Sequence, residues 1–418
     1  MVRDQLDVLR DGLRRRGRLE ALAPIVERAE AVDRERRATI QAVEERKAAR
    51  NSMSLEVARR KRAKEDATSL IDDGRTLGEE IARLEKERAE AEATLETLML
   101  ELPNLTLADV PEGGEERNTV VRSWGEPRPA AGVRPHWEVA GERGLLDLPR
   151  GAKLSGSGFP VFRGAGARLV RSLMSFMLDL HAREHGYEEV WVPFAVNRAS
   201  MTATAQLPKF EDDMYAVGND DLFLIPTAEV PVTNLYRDEI LEPHEVPRGF
   251  VAYTPCFRRE AGAHGKDTRG LLRLHQFDKV ELVRYAAPDD SAAQHELLTR
   301  HAETVLQRLG LPYRVVLLAS GDTGFASAKT YDLEVWAPGV GQWLEVSSCS
   351  NFGDFQARRA NIRFRPSAGE KPRLVHTLNG SGLAFPRTIA ALLEHGQTAD
   401  GGIAVPEALR PYFGADHL

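Results

Sequence analysis

From residue 77 onward, one face of the chain repeats at alternating intervals of four and three: Leu77, Ile81, Leu84, Arg88, Ala91, Leu95 and Leu98. A single charged residue interrupts this period, which is that of a coiled-coil seam. Upstream, Ile25, Ala29, Val32, Ile40 and Val43 form a thinner stripe, and between residue 27 and about residue 100 there is no proline and only Gly74 and Gly78 as glycines. The stretch KEDATSLIDDG (64–74) holds Ser, Asp and Gly suited to a turn. The pattern predicts two long helices folded into an antiparallel hairpin, each about 35–40 residues and so roughly 50–60 Å long. LPNLTLADVPEGGEERN (102–118) breaks it with Pro103, Pro111, Gly113 and Gly114, and a domain boundary is expected there, with domains 1–108 and 109–418. Beyond it, Leu169, Leu173, Phe176 and Leu180 fall on one helical stripe, and WVPFAV reads as a strand broken at Pro193. Strands are expected in DLFLIPTAEVPVTNLY, YRVVLLAS, TYDLEVWAP and QWLEVSSCSNF, and HTLNGSGLAFPRTIAALLEHG (376–396) reads as strand, turn and helix. No regular crossover helices separate these strands. The expected class is α+β: an N-terminal antiparallel helical coiled-coil arm, then an antiparallel sheet with flanking helices.

Composition adds compartment and charge. The chain has 418 residues, of which 42% are hydrophobic and 28% charged, the balance of a globular protein with room for two or three domains. No apolar run approaches the roughly 20 residues that span a bilayer, and MVRDQLDVLRDGLRRRG has neither the apolar core nor the cleavage site of a secretory signal. Cys256 and Cys349 are the two cysteines, with no CxxC pair and no Cys/His cluster, so neither a disulfide framework nor zinc is expected, and the cytoplasm is the expected compartment. The net charge of −7 hides an asymmetry: residues 1–64 hold 18 Lys/Arg against 11 Asp/Glu. The turn end of the hairpin carries Arg59, Arg60, Lys61, Arg62 and Lys64. On these residues alone two roles stand, a solvated dimerisation coil or an arm that grips phosphates.

The segment TPCFRREAGAHGKDTRGLLRLHQFDKVELV (254–283) reads as two strands around a polar loop. Alternation places Arg258 and Glu260 on one face of the first strand, and Phe277 and Glu281, with Arg273, His275 and Lys279, on one face of the second. An arginine holds a phosphate with oriented donors. A phenylalanine face carries a stacked purine, and a glutamate accepts from an exocyclic amine or an ammonium. The loop, with Lys266 and Arg269, reads as able to close over charged oxygens. The same pattern also suits a solvated hairpin with a charged outer face. The GAHGKDT stretch lacks the P-loop spacing, and no GxGxxG follows a strand.

Taken together, these segments resemble the bacterial-type seryl-tRNA synthetases, class II aminoacyl-tRNA synthetases. FRREAG, DTRG and HQFDKVE resemble motif 2, the helix-strand of 164–195 ending in Pro193 resembles motif 1, the dimer element, and LNGSGLAFPRTIAALLE resembles motif 3. The basic hairpin resembles the family's tRNA-binding arm, so that Arg59, Arg60, Lys61, Arg62 and Lys64 would meet tRNA.

The resemblance implies ATP-dependent activation of L-serine to seryl-adenylate and transfer to the 3′ end of tRNA(Ser), with tRNA(Sec) as an open second acceptor, by a homodimer without a membrane partner. It implies Arg258 on the α-phosphate and the serine carboxylate, Glu260 at the adenine amine, Phe277 stacked on adenine and Arg387 near the γ-phosphate, with Arg259, Val346 and Ser347 also at ATP. Glu345 and Ser348 match Mg²⁺-binding positions. Thr227, Ala228, Glu229, Glu281, Asn379 and Ser381 match the serine pocket. The chain departs from the family pattern at Ala203, Ala205, Arg259, His264, Phe385 and Pro386. These departures leave open a specialised duplicate of the enzyme, one that escapes an inhibitor or serves a biosynthetic pathway, and beside it a non-catalytic RNA-binding relative.

Overall fold

A computed structural model describes residues 4–261 and 269–418. His264 and Lys266, singled out in the sequence, lie outside the described residues. The chain divides into two compact units between Leu105 and Thr106.

The first unit is helical: α1 (Leu6–Arg15), α2 (Leu19–Ala63) and α3 (Thr68–Leu100). The stripe from Leu77 to Leu98 is buried or half-buried at every position, with Ile81 and Leu84 deepest, against Val26, Ala29, Val32 and Val43 of α2 as its most buried residues. Arg46 reaches Glu80 at 3.1 Å and Lys47 reaches Glu85 at 2.8 Å across the seam. These pairs are exposed and contribute little to stability, but their signs suit the antiparallel register. The turn is shorter than 64–74. Lys64, at φ +56°, ends α2, and the Asp66 carboxylate accepts from the backbone N–H of Thr68 at 2.9 Å and from its hydroxyl at 2.7 Å. α3 begins at Thr68, beside that carboxylate, so Gly74 lies inside the helix.

The second unit is built on an eight-stranded sheet: β1 (Thr119–Trp124), β2 (Glu188–Glu189), β3 (Arg248–Phe257), β4 (Gln276–Ala286), β5 (Tyr313–Leu317), β6 (Lys329–Ala337), β7 (Gln342–Asn351) and β8 (His376–Ala384). Its order is β1-β5-β6-β7-β8-β4-β3-β2, antiparallel except for the β2–β3 pair at the edge. Three helices back it: α4 (Ala165–Asp179), α5 (Ser291–Leu309) and α6 (Phe385–His395). Leu169, Leu173 and Phe176 of α4 pack with Leu298 of α5, Ile389 of α6, and Val280 and Leu282 of β4. WVPFAV is not one strand. Glu188–Glu189 pairs with β3, whereas Ala195–Asn197 joins a separate three-stranded sheet. The TAEVPVT stretch, read as strand, is a short helix over Glu229–Thr233. Proline has no N–H for the ladder; Pro193 stands between the two pairings, and Pro226 follows the strand Leu222–Leu224.

Strand β4 shows why both of its faces are occupied. Val280 and Leu282 enter the helix-backed core, while Val283 and Tyr285 enter a second core with Phe250, Ala252 and Ile362. Between them, Lys279 and Glu281 share the face of Val283 and Tyr285 but are charged, and both are buried. Charged side chains on a covered face need a cavity and partners.

Candidate active site

A cavity of about 640 Å³ opens over β4, β7 and β8 and is lined by Thr227, Glu229, Arg258, Glu260, Phe277 and Glu281. Glu345, Val346, Ser348, Asn379, Ser381 and Arg387 complete the predicted residues on its wall. Ala228, Arg259 and Ser347 do not line it. Ala228 is buried in the second core, Arg259 is exposed, and the Ser347 hydroxyl donates to the Ser381 carbonyl at 2.7 Å. The volume suits a nucleotide-sized ligand.

Burial grades the wall. Thr227, Glu229, Lys279, Glu281, Asn379 and Ser381 are buried and form the floor, whereas Arg258, Glu260, Phe277 and Arg387 are half-buried and Glu345 is exposed. On the floor, Ser381 stands opposite Glu281 in the β8–β4 register, with its hydroxyl 3.5 Å from the Glu281 carboxylate. The Lys279 ammonium lies 2.5 Å from Glu281 and donates to the Thr227 hydroxyl at 2.7 Å. The Glu229 carboxylate accepts from the Gln356 amide at 2.5 Å, and the Gln356 carbonyl accepts from Thr377 at 2.7 Å. Burial, then the neighbouring Glu281, push the Glu229 carboxyl up to about 7.

Toward the rim, β3 ends at Phe257, one residue before the expected face. The Arg258 backbone N–H still donates to the His275 carbonyl at 2.9 Å, and its guanidinium sits over the Phe277 ring at 5.1 Å from the centroid. Glu260 is not on the strand. At φ +53° it turns out of the ladder, and its carboxylate pairs with Arg273. Arg387 donates to the Leu272 carbonyl at 3.2 Å and to the Glu345 carbonyl at 2.9 Å, with the Glu345 carboxylate 3.6 Å away. The proline before it is a departure that removes a backbone donor, but not one that the helix uses. Pro386 stands in the first turn of α6, where an N–H has no partner in the helix.

Glu345 and Ser348 are three residues apart, so in a regular strand they would face opposite ways. They share the cavity because β7 carries a bulge. Leu333 of β6 faces Ser347 and Glu334 faces Glu345, leaving Val346 as the extra residue. Val346 packs in the core and also touches the cavity wall, Ser347 is buried, and Glu345 and Ser348 both reach the cavity. No group of three or more His, Cys, Asp or Glu that could hold a metal occurs among the described residues. One carboxylate and one hydroxyl beside a nucleotide-sized cavity fit Mg²⁺, which keeps waters and takes substrate phosphates as ligands.

Two residues absent from the predicted set belong here. Lys279 was legible as a member of the right strand face but not as the partner of Glu281. Asp332 stands opposite Ser348 on β6, with one carboxylate oxygen sealed from solvent and without a hydrogen-bond partner. Burial and the nearby Glu345 push its carboxyl well above the usual range. Its only sequence signal was an aspartate between the buried Tyr331 and Leu333. Ala205, at φ +64°, also lines the cavity.

Known proteins match this chain along its length. Residues 209–396 match the tRNA synthetase class II core domain (G, H, P, S and T), and residues 1–106 the seryl-tRNA synthetase N-terminal domain. Serine–tRNA ligase of Gemmatimonas aurantiaca is 65% identical over 99% of this chain and 98% of its own, and that of Geobacillus kaustophilus 54% over 99% and 97%. The crystal structure of seryl-tRNA synthetase from Pyrococcus horikoshii, complexed with ATP, superposes with a TM-score of 0.94 at 36% identity, covering 100% of this chain and 98% of that one. The cytoplasmic serine–tRNA ligase of Naegleria fowleri, in complex with AMP, gives 0.88 at 29% identity, covering 99% and 96%.

Proposed function

The chain belongs to the seryl-tRNA synthetase family, and from that premise we propose that it activates L-serine with ATP and transfers the seryl group to the 3′ end of tRNA(Ser). The observation that carries this reading is the convergence of Arg258, Phe277, Glu229, Glu281 and Arg387 on one cavity. An RNA-binding relative without catalysis would have no use for charged residues buried on that floor.

In this reading Arg258 holds the serine carboxylate against the α-phosphate, so that an oxygen nucleophile and a phosphorus centre meet already oriented. Its guanidinium also faces the charge that builds on the phosphate oxygens as the adenylate forms. Phe277 supports the adenine ring and Glu260 accepts from its amine, while Arg387 faces the departing pyrophosphate. Glu345 and Ser348 would hold Mg²⁺, which supplies neutralising charge to phosphate oxygens. On the floor, Glu229 takes the serine ammonium, and Glu281 with Ser381 reads the hydroxyl. A site whose buried polar groups pair with that hydroxyl rejects alanine by leaving them unpaired.

Residues 1–108 bind tRNA and 109–418 do the chemistry, with Arg59, Arg60, Lys61, Arg62 and Lys64 on tRNA phosphates. Arg59 and Arg60 are held by Glu56 at 2.8 and 3.1 Å, whereas Lys61, Arg62 and Lys64 are exposed. A homodimer is part of the same reading, supported by the likeness of 164–195 to motif 1 and by Trp191, which is 71% exposed. The test is serine-dependent exchange of pyrophosphate into ATP by the purified protein without tRNA, followed by charging of total tRNA with all amino acids in competition. Absence of exchange, or charging with another amino acid, would overturn the reading.

A further inference from the structure

The floor of the cavity holds more charge than serine can satisfy. Serine brings one cation, one anion and one hydroxyl. Arg258 answers the carboxylate, and one buried carboxylate answers the ammonium, yet the floor has two, Glu229 and Glu281. A second carboxylate sealed from water is costly unless paired, and an unpaired one would draw in a second cation. Lys279 resolves this. It sits two residues before Glu281 on the same strand, so alternation puts both on one face. Its ammonium is 2.5 Å from the Glu281 carboxylate, and side-chain exposure is 7% for Lys279 and 1% for Glu281. The same ammonium donates to Thr227 at 2.7 Å, which fixes where it stands. Glu229 has a neutral amide as its nearest partner, that of Gln356. The two carboxylates are thus unequal before any ligand arrives: one already has a cation and the other does not.

We propose that Lys279 is a specificity-determining residue. By holding Glu281 in an internal ion pair, it turns that carboxylate into an acceptor for a neutral hydroxyl, directs the α-ammonium to Glu229, and excludes amino acids that carry a second ammonium in place of the hydroxyl. Lys279 acts through Glu281 and does no chemistry itself. The inference rests on the assignment of this floor to serine. It adds the charged analogue, 2,3-diaminopropionate, to the competitors that the site must reject, beside alanine and threonine.

The experiment compares pyrophosphate exchange and calorimetric binding of serine, alanine and 2,3-diaminopropionate for the wild type, Lys279→Met, Lys279→Gln and the double variant Lys279→Met/Glu281→Gln. Thermal melts establish which variants are folded. In the single variants Glu281 loses its internal cation, and preference should move toward 2,3-diaminopropionate over serine by roughly 10²-fold, the range that a close buried charge pair commands. In the double variant the floor is neutral again, and 2,3-diaminopropionate should again be rejected. Either neutral single variant suffices to read the ratio. An unchanged ratio, a double variant that behaves like the single ones, or equal loss of all three amino acids would overturn the inference and leave Lys279 a structural strut. Failure of the wild type to exchange with serine would instead overturn the functional reading.

Discussion

The hairpin and the sheet body use the same charged residues under opposite conditions. At the turn of the hairpin, Lys61, Arg62 and Lys64 stand in solvent, each with its own hydration and counterions. On the cavity floor, Lys279, Glu281 and Glu229 are buried and held by close partners, among them Thr227, Ser381 and Gln356. Exposed charge acts at long range and is screened by salt, whereas buried charge acts at close quarters and is not. One molecule should therefore show two salt dependences, steep for tRNA charging and shallow for serine activation.

The strongest attack on the buried side is Arg258→Ala. In the proposed reading it removes the donor to the α-phosphate, and exchange should fall by about 10²–10³-fold, with the melting temperature close to wild type. A fall of less than tenfold would remove Arg258 from the chemistry. On the exposed side, Lys61→Glu, Arg62→Glu and Lys64→Glu together should cut charging about 10- to 100-fold at low salt and flatten its salt slope by about one unit for each phosphate that is no longer neutralised. Exchange without tRNA should not change. Equal loss of both activities would erase the contrast between the two regions.

Acidity should separate them as well. The Glu229 carboxyl is raised from 4.5 to about 7, so the folded protein holds that proton more tightly than the unfolded chain does. This contribution to stability is full below pH 4.5 and is lost as pH rises through about 7. If Glu229 takes the serine ammonium as proposed, the ionised form is required, and kcat/KM for serine should fall about tenfold per pH unit below that value and level off above it. Glu229→Gln should abolish the step, and its persistence would move the titration to another group. Phe277→Ala should raise the KM for ATP about 5- to 100-fold through weakened stacking, with kcat nearly unchanged. An effect confined to kcat would sink the stacking role. The smallest effect is expected at Ala205. A non-glycine residue in the left-handed region costs about 1–2 kcal/mol, and glycine returns about 0.5–1 kcal/mol of that as chain entropy. Ala205→Gly should thus raise the melting temperature by a few degrees at most, and a lowered one would mean the methyl packs better than its backbone suggests.

What was legible in the sequence depended on distance along the chain. The seam from Leu77 to Leu98 could be read because its partners recur every three or four residues. The turn was misplaced because glycine at 74 drew attention, while the helix had already begun at Thr68, next to the Asp66 carboxylate. The faces of β4 followed from alternation, so Phe277, Lys279 and Glu281 were visible together. Their neighbours were not. Glu281 meets Ser381 across a register spanning a hundred residues, and no local period encodes which strand lies beside which. Glu260 was placed on a strand that had already ended, since only its positive φ reveals the turn. Asp332 stayed unremarked because its surroundings come from the strand opposite.

The extra residue in β7 gives that strand something like a reading frame with a period of two. Before Val346 it is the odd-numbered Glu345 that lines the cavity, and after it the even-numbered Ser348 and Ser350. Substitution at any of these positions changes a letter and leaves the phase alone. Deletion of one residue between Glu345 and Ser348 shifts the phase, so that carboxylate and hydroxyl no longer share the cavity side. The segment can therefore drift in composition but not in length, and relatives should differ here by exchange of residues and not by gaps.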